Sequence, residues 1–476
     1  MKILMLNPPF HRRYSRQSRS PCVTKGGTFY YPYFLAYATG VLESEFDVKL
    51  IDAVAKDWTR EKTVEFAKEF APELVVVDTS TPSIKNDLEV AGEIKNALPD
   101  THINLVGTHP TALPEETLQG SNGVDSVCRG EYELTLLDLA KTLDAGDTLM
   151  GVDGLSFKLD EEVINNRERE LLKDLDELPF VSKVYKRHLD VGDYFYASLR
   201  YPQVTILTAR GCPYNCSFCN APFKNSYRAR SVGNVIEELK YIKKELPGVR
   251  EVMFEDETFP ANQKRTVELC DLMLKEGIKL KWSCNVRVDT KPETLKNMKK
   301  AGCRLLCVGF ESPTQTALDG VGKKTTKEKQ VDFMKNARST GLLVNGCFIL
   351  GLPNDTKDSI RETINFAKKL NPDTAQFYPL MVYPGTASYA WAKEKGYLET
   401  EDYSKWIDSE GKHSTALNLP EIGSRELVKM CDDARREFYL RPGFIFYKII
   451  QSLKNPEEGL RTLKSARTFI KNIKLS

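Results

Sequence analysis

The chain runs to 476 residues, 41% of them apolar, enough to fill two or three domains with cores of their own. Its 68 lysines and arginines nearly balance 66 aspartates and glutamates, a formal net charge of +2, so no global field argues for a nucleic-acid partner. No run approaches the roughly eighteen apolar residues of a membrane span. Met1–Pro9 has too short an apolar stretch for a signal peptide, and eleven cysteines without an export signal lead us to expect a reducing, cytoplasmic setting.

Residues 1–144 alternate short apolar runs with amphipathic stretches. Lys2–Leu6, Val48–Asp52, Leu74–Asp78, Ile103–Val106 and Ser126–Cys128 are predicted strands, and Glu61–Phe70 and Ile84–Leu98 are predicted helices. The alternation predicts an α/β domain of Rossmann-like, flavodoxin-like layout, with helices on both faces of a parallel sheet and ligands at the carboxyl ends of its strands. The loops leaving those ends are small, polar and turn-forming: Asn7-Pro8-Pro9-Phe10, Asp78-Thr79-Ser80-Thr81-Pro82, Gly107-Thr108-His109-Pro110 and Arg129-Gly130-Glu131. Residues 145–200 are mixed and read as a connector, with an aromatic cluster around Tyr194–Tyr201.

From 201 to 400 a second series begins. Predicted strands at Val204–Thr208, Glu251–Phe254, Lys281–Cys284, Leu305–Gly309, Val344–Leu350 and Ala375–Tyr378 are separated by amphipathic helices. Six such repeats predict a partial (β/α)6, TIM-like barrel, whose active groups gather at the strands' carboxyl ends. Those ends carry Glu255-Asp256-Glu257, Asn285, Arg287, Glu311-Ser312 and Asn354-Asp355. Residues 401–476 read as a small, mainly helical C-terminal segment with a basic tail.

The loop after the first barrel strand is the densest in chemistry. Arg210-Gly211-Cys212-Pro213-Tyr214-Asn215-Cys216-Ser217-Phe218-Cys219 sets three thiols in the order Cys-x3-Cys-x2-Cys. Three thiolates on a [4Fe–4S] cube leave one iron open to a ligand that is not protein, whereas clusters that only move electrons usually have four cysteines. Gly211 and Pro213–Asn215 supply the turns that aim three sulfurs at one centre. Structural zinc is the rival, but it wants four closed ligands, usually as two pairs. No second pair follows here, and His11, His102, His109, His188 and His413 are scattered.

This segment resembles the radical S-adenosylmethionine (SAM) superfamily, whose hallmark is this spacing with an aromatic residue before the last Cys, here Phe218. The resemblance implies that Cys212, Cys216 and Cys219 bind the [4Fe–4S] cluster and that the SAM amine and carboxylate chelate the open iron. Reductive cleavage of SAM then gives a 5′-deoxyadenosyl radical able to take hydrogen from unactivated carbon. It implies too that Asp256 and Glu257, standing where Gly-Gly-Glu is usual, face the SAM amino group. Glu311 becomes a ribose-hydroxyl acceptor, Arg287 a partner of the SAM carboxylate, and Gly351 a backbone approach to adenine. Phe218 covers the adenine or belongs to the core.

The first domain is similar to the cobalamin (B12) domain that precedes the barrel in one branch of that superfamily. The likeness rests on Asn-Pro-Pro-Phe, on Gly-Thr-His-Pro, and on Cys-Arg-Gly-Glu-Tyr-Glu at 128–133. It implies cobalamin contacts from Asn7, Pro8, Ser80, Thr81, Gly107, His109 and Glu131, with His109 alternatively a loop histidine bonded locally. Domains that lend a histidine to cobalt carry Asp-x-His-x-x-Gly in the first turn; here that turn has His11 followed by Arg12 and Arg13. Base-off cobalamin without a histidine ligand is therefore expected.

The resemblance implies a B12-dependent methyltransferase in which the substrate radical takes a methyl group from methylcobalamin, no further catalytic acid or base being assigned. Radical ring contraction or cyclisation of a lipid- or porphyrin-like substrate is the alternative, and a cluster or cobalamin sensor the non-enzymatic one. Expected partners are a small-molecule or lipid substrate and an electron donor such as a flavodoxin or ferredoxin, with the chain a monomer. The basic C-terminal helices either cap the barrel as a solvated face or make weak contact with a membrane surface.

Overall fold

Strand Leu74–Thr79 (Leu-Val-Val-Val-Asp-Thr) is buried along its whole length, as expected of a β-branched run at the centre of a parallel sheet. The structure, a computed structural model, describes residues 1–160 and 162–463. The tail residues Lys464, Arg467, Lys471 and Lys474 lie outside the described residues. Around β3 (Leu74–Thr79) are β1 (Lys2–Asn7), β2 (Asp47–Asp52), β4 (His102–Gly107) and β5 (Ser126–Cys128), ordered β2-β1-β3-β4-β5 and all parallel. Met5 of β1 sits level with Leu50 on one side and Val76 on the other. That order places the switch point of a flavodoxin-like sheet between β1 and β3.

The sheet does not stop at residue 144. A hairpin of β6 (Leu155–Leu159) and β7 (Glu162–Asn165) continues it antiparallel beyond β5. The connector proper begins after that hairpin. Its helix Val181–His188 packs against Tyr33–Leu42 of the first domain and Val232–Glu245 of the second. A pile of rings ties the pieces together: Tyr31 stacks between Tyr185 and Tyr194, at 4.3 and 3.9 Å between centroids, and Phe29 stacks on Tyr194. The Tyr194 hydroxyl donates to Asp52 at the end of β2, and the Tyr31 hydroxyl to the Gln203 carbonyl of the barrel. The aromatic cluster thus welds the two domains.

The barrel strands are β8 (Gln203–Ile206), β11 (Glu251–Phe254), β12 (Trp282–Val286), β13 (Cys303–Glu311), β14 (Leu343–Leu350) and β15 (Thr374–Pro379), parallel and in sequential order. Each is within a residue or two of its predicted span, and helices separate them as expected. β8 and β15 remain the sheet's two edges, so this is a partial barrel. Between β8 and β11, a short ribbon of β9 (Ala209–Arg210) and β10 (Arg228–Ala229) brackets the cysteine loop. At the amino ends of the strands Arg304 donates to the buried Glu251 and to Glu458, sealing the floor. Helix Ser424–Tyr439 lies along β15, where the Tyr439 hydroxyl donates to the Ala375 carbonyl at 2.7 Å.

Candidate active site

The carboxyl ends of both sheets face a common cavity of about 440 Å³. Asp78-Thr79, Gly107-Thr108 and Gly130–Glu133, following β3, β4 and β5, make one wall. Cys219–Lys224 of the cysteine loop, with Glu255 and Glu257 beyond β11, make the other. Residues 16–19 of the first-turn segment and Pro384–Thr386 after β15 close the sides.

On the first wall, β3 and β4 approach so closely that a Cβ on Gly107 would stand 2.2 Å from the Thr79 carbonyl oxygen. Gly107 also has φ +126°, a backbone that only glycine adopts without strain. Asp78 accepts from Gln17 at 2.9 Å, and burial pushes its carboxyl up to about 7 against the pull of Arg16. Glu131 lines the cavity as expected, but both its oxygens are engaged. It accepts from Arg210 at 2.6 Å and from Arg228 at 2.8 Å, while Glu133 accepts from Arg210 at 2.6 Å. Arg210 lies beside the thiol motif, so this buried cluster locks the first domain onto the cysteine loop.

Five residues expected at cobalamin stand behind the wall instead. The Asn7 amide donates to Asp52 and its oxygen accepts from Arg16, as does the Pro8 carbonyl. Ser80 bonds Tyr14 and Ser83, and Thr81 bonds His109 Nδ1 at 3.3 Å. His109 is buried edge-on against Tyr403, and burial lowers it to about 4, leaving it neutral. The polarity of these loops meets their own turns, a common use of Ser, Thr and Asn. Among the described residues no histidine lines the cavity; His11 packs against Phe10.

On the second wall, a Cβ on Gly211 would lie 2.5 Å from the Ser226 carbonyl oxygen, and its φ is +81°. The loop is pinned by Cys212 N–H donating to the Phe223 carbonyl, Asn225 N–H to the Cys212 carbonyl and Cys219 N–H to the Cys216 carbonyl. Ala221 N–H donates to Cys219 Sγ at 3.4 Å. Burial pushes the Cys216 thiol up, with Lys323 pulling it down; a metal must displace that proton. All three thiols are free of disulfides.

The acidic run after β11 divides its labour. Asp256, expected at the SAM amine, is committed: its oxygens accept from Thr208 N–H and Oγ1, both at 2.6 Å, which joins β8 to β11. Glu257 accepts from Gly211 N–H at 3.0 Å. Glu255 is the open one. Its Oε1 accepts from Asn285 at 3.2 Å, while Oε2 is buried with no hydrogen-bond partner, and burial raises the carboxyl to about 7. Arg19 reaches across from the first-turn segment, donating to the Asp256 carbonyl at 3.0 Å with its guanidinium 3.9 Å from Glu255.

Around Cys216, the Lys323 ammonium donates to Glu311 at 2.6 Å. Glu311 has φ +62° at the bulge where β13 slips against β14, and a Cβ on Gly309 would sit 2.3 Å from its Oε1. Arg287 stacks on Tyr214 at 3.6 Å and donates to the Lys323 carbonyl. Phe218 packs against the main core. Gly351, expected to admit adenine, turns its bare Cα to helix Ser424–Tyr439, where a Cβ would meet Leu427 at 2.5 Å.

The residues fit the groups that the motifs imply. Among the described residues no three His, Cys, Asp or Glu side chains converge on a single-ion site, as zinc would need; thiolates on a cube attach to separate irons and stand wider apart. An unpartnered buried carboxylate oxygen is costly unless a cation or donor meets it, and the SAM ammonium is such a group. Gly130 lines the cavity with open space where a Cβ would stand, which leaves room for a large flat ligand against the first wall. Sequence reasoning set Glu255 and Asp78-Thr79 at the carboxyl ends of their strands without giving them a role, and it missed Lys323, which a helix separates from Glu311. Arg19 carried no local signal at all.

Comparison with known proteins agrees with this geometry. The family model described as the Radical SAM superfamily matches residues 206–367, and that of the B12 binding domain matches residues 20–140. An uncharacterized methyltransferase of Pyrococcus horikoshii is 34% identical over 454 residues, 95% of each chain. The anaerobic magnesium-protoporphyrin IX monomethyl ester cyclase of Cereibacter sphaeroides is 29% identical over 94% of this chain and 72% of its own. Among solved structures, the radical SAM methyltransferase TsrM of Kitasatospora setae, with cobalamin and [4Fe–4S] cluster bound, superposes with a TM-score of 0.70 at 17% identity, covering 93% of this chain and 89% of that one. The cobalamin-dependent SAM radical enzyme OxsB gives 0.63 at 18%, covering 92% and 61%. With a close full-length relative, both family models and a cavity shared by the two domains, the chain belongs to the cobalamin-binding radical SAM family of enzymes.

Proposed function

We propose that this protein is a methyltransferase acting at an unactivated carbon, with the substrate held in the cavity between the two domains. One observation carries the reading: the cysteine loop, the free carboxylate Glu255 and the glycine corner of the cobalamin wall all border the same cavity. Bound there, the [4Fe–4S] cluster with SAM would supply the 5′-deoxyadenosyl radical, and cobalamin the methyl group. Cys212, Cys216 and Cys219 would hold the cluster. Glu255 accepts the SAM ammonium, with Glu257 holding Gly211, and so the loop, in place. Glu311 and Lys323 form a neutral pair beside Cys216 that offers both an acceptor and a donor to the rest of SAM.

Gly107, Thr108 and Gly130 would hold cobalamin, base-off. Among the described residues no histidine lines the cavity and His109 is buried, which supports that state. The buried Arg210–Glu131–Glu133 lock fixes the gap between that wall and the cysteine loop, and such positioning is worth many-fold in rate. A flavodoxin or ferredoxin supplies the electron.

Anaerobic reconstitution with SAM, methylcobalamin and reductant, incubated with a cell extract and read by mass spectrometry, tests the reading. Accumulation of 5′-deoxyadenosine together with S-adenosylhomocysteine and a product heavier by one methyl group is expected. Deoxyadenosine alone would favour rearrangement or cyclisation, the activity of the Cereibacter relative.

A further inference from the structure

Helix Pro442–Lys454 divides cleanly into two faces. Its inner face is anchored: Phe444 is buried against Phe438, and Tyr447 and Gln451 each donate to Asp373 at 2.7 Å. Its outer face is apolar and, among the described residues, uncovered. Ile445, Phe446, Ile449, Ile450 and Leu453 recur one turn apart, with Phe446 65% and Leu453 79% exposed. Leu460, in the helical turn at 456–463, extends the stripe. Single exposed apolar residues are ordinary on a protein surface, whereas a contiguous patch marks an interaction site.

Charge says what covers it. Between Arg441 and the last residue the sequence holds eight lysines and arginines and two acids, Glu457 and Glu458. Glu458 is buried and Glu457 half-exposed, and both are paired. Glu457 pairs with Arg200 and Arg250, and Glu458 with Arg304 and Arg461. Lys454 is exposed beside the stripe, and four of the last thirteen residues are basic with none acidic. An apolar stripe followed directly in sequence by unbalanced positive charge matches the interface of an anionic bilayer, where apolar side chains enter the acyl boundary and lysines meet headgroups. A second copy would set the same basic stretch against itself, at an electrostatic cost.

The position of the face fixes its meaning. Asp373 directly precedes β15, Arg250 directly precedes β11, and Arg304 is the second residue of β13, so the helix sits under the amino ends of the barrel strands. The cavity lies at the opposite ends. We propose that helix Pro442–Lys454 and the turn after it form a docking surface for anionic phospholipid, holding the enzyme to a membrane by the floor of its barrel with the cavity pointing away. The inference rests on none of the cofactor chemistry, and the two readings fail separately.

Flotation of the full, anaerobically reconstituted protein with vesicles tests it. Binding to phosphatidylcholine vesicles containing phosphatidylglycerol should exceed binding to phosphatidylcholine alone by at least about tenfold at low salt, and should fall as salt rises. Combining Phe446→Ser, Ile449→Ser and Leu453→Ser should abolish flotation while iron content, circular dichroism and SAM cleavage stay as in the parent. Absence of flotation at low salt, equal binding to both vesicle types, or a dimer by light scattering that the triple variant converts to monomer would each overturn the proposal. The lipid and salt comparisons use the unaltered protein, so they hold whatever the variant does.

Discussion

Glu255 is the residue whose behaviour follows most directly from its surroundings. Burial raises its carboxyl to about 7, so near pH 6 the ligand-free site holds a proton that a cationic ligand must expel. Affinity for SAM is therefore expected to rise between about pH 6 and pH 8 and to level off above. Calorimetry in buffers of differing ionisation heat should show proton release, and Glu255→Gln should lose both the pH dependence and the release. For the ligand-free protein, a raised carboxyl favours folding below its ordinary value of 4.5 and that contribution is lost as pH rises through about 7. Gly107 makes a second residue-level case. Gly107→Ala forces a Cβ into the Thr79 carbonyl at positive φ, a strain of about 1–3 kcal/mol. Cobalamin uptake, read from the visible spectrum, should fall at least about tenfold on that strain, while iron content stays unchanged.

At the scale of elements, the Arg210 lock couples β9 to the end of β5. Arg210→Met strands Glu133 in a buried setting and leaves Glu131 to Arg228 alone, and removing one partner of such a buried pair costs about 3–5 kcal/mol. Anaerobic denaturant unfolding should show that loss, and adding Glu131→Gln and Glu133→Gln should recover part of it. If the lock also sets the gap, the single variant should raise the ratio of deoxyadenosine to methylated product. The elements themselves were easy to read from sequence: alternating buried runs and amphipathic helices gave all six barrel strands nearly to the residue. β6 and β7 escaped because a short hairpin at a sheet edge, with its outer strand half exposed, carries little hydrophobic signal.

For the molecule as a whole, legibility followed the distance along the chain between partners. The three thiols lie within eight positions, so one motif announces them; Cys216→Ala should lose iron and SAM cleavage yet keep bound cobalamin and a folded far-ultraviolet spectrum. Asp256 and Glu257 are the carboxylates the resemblance sets at the SAM amine, and no local pattern marks that the Thr208 hydroxyl and amide, 48 residues away, take up the oxygens of Asp256. Arg19 touches a carbonyl 237 residues distant, and no local pattern encodes such a meeting. In the first-domain loops Ser80 and Thr81 bond neighbouring turns, a use of polar side chains that sequence does not separate from a ligand-facing one.

The first-turn segment carries a consequence for how reactants come and go. Arg16 is buried in the first domain on Asp87, while Arg19, three positions on, grips the end of β11. Three residues of chain span at most about 10–11 Å, so the halves of the enzyme are on a short leash. Wide clamshell opening is thereby excluded while both grips hold. Any wider opening requires Arg19 to release the carbonyl at the end of β11.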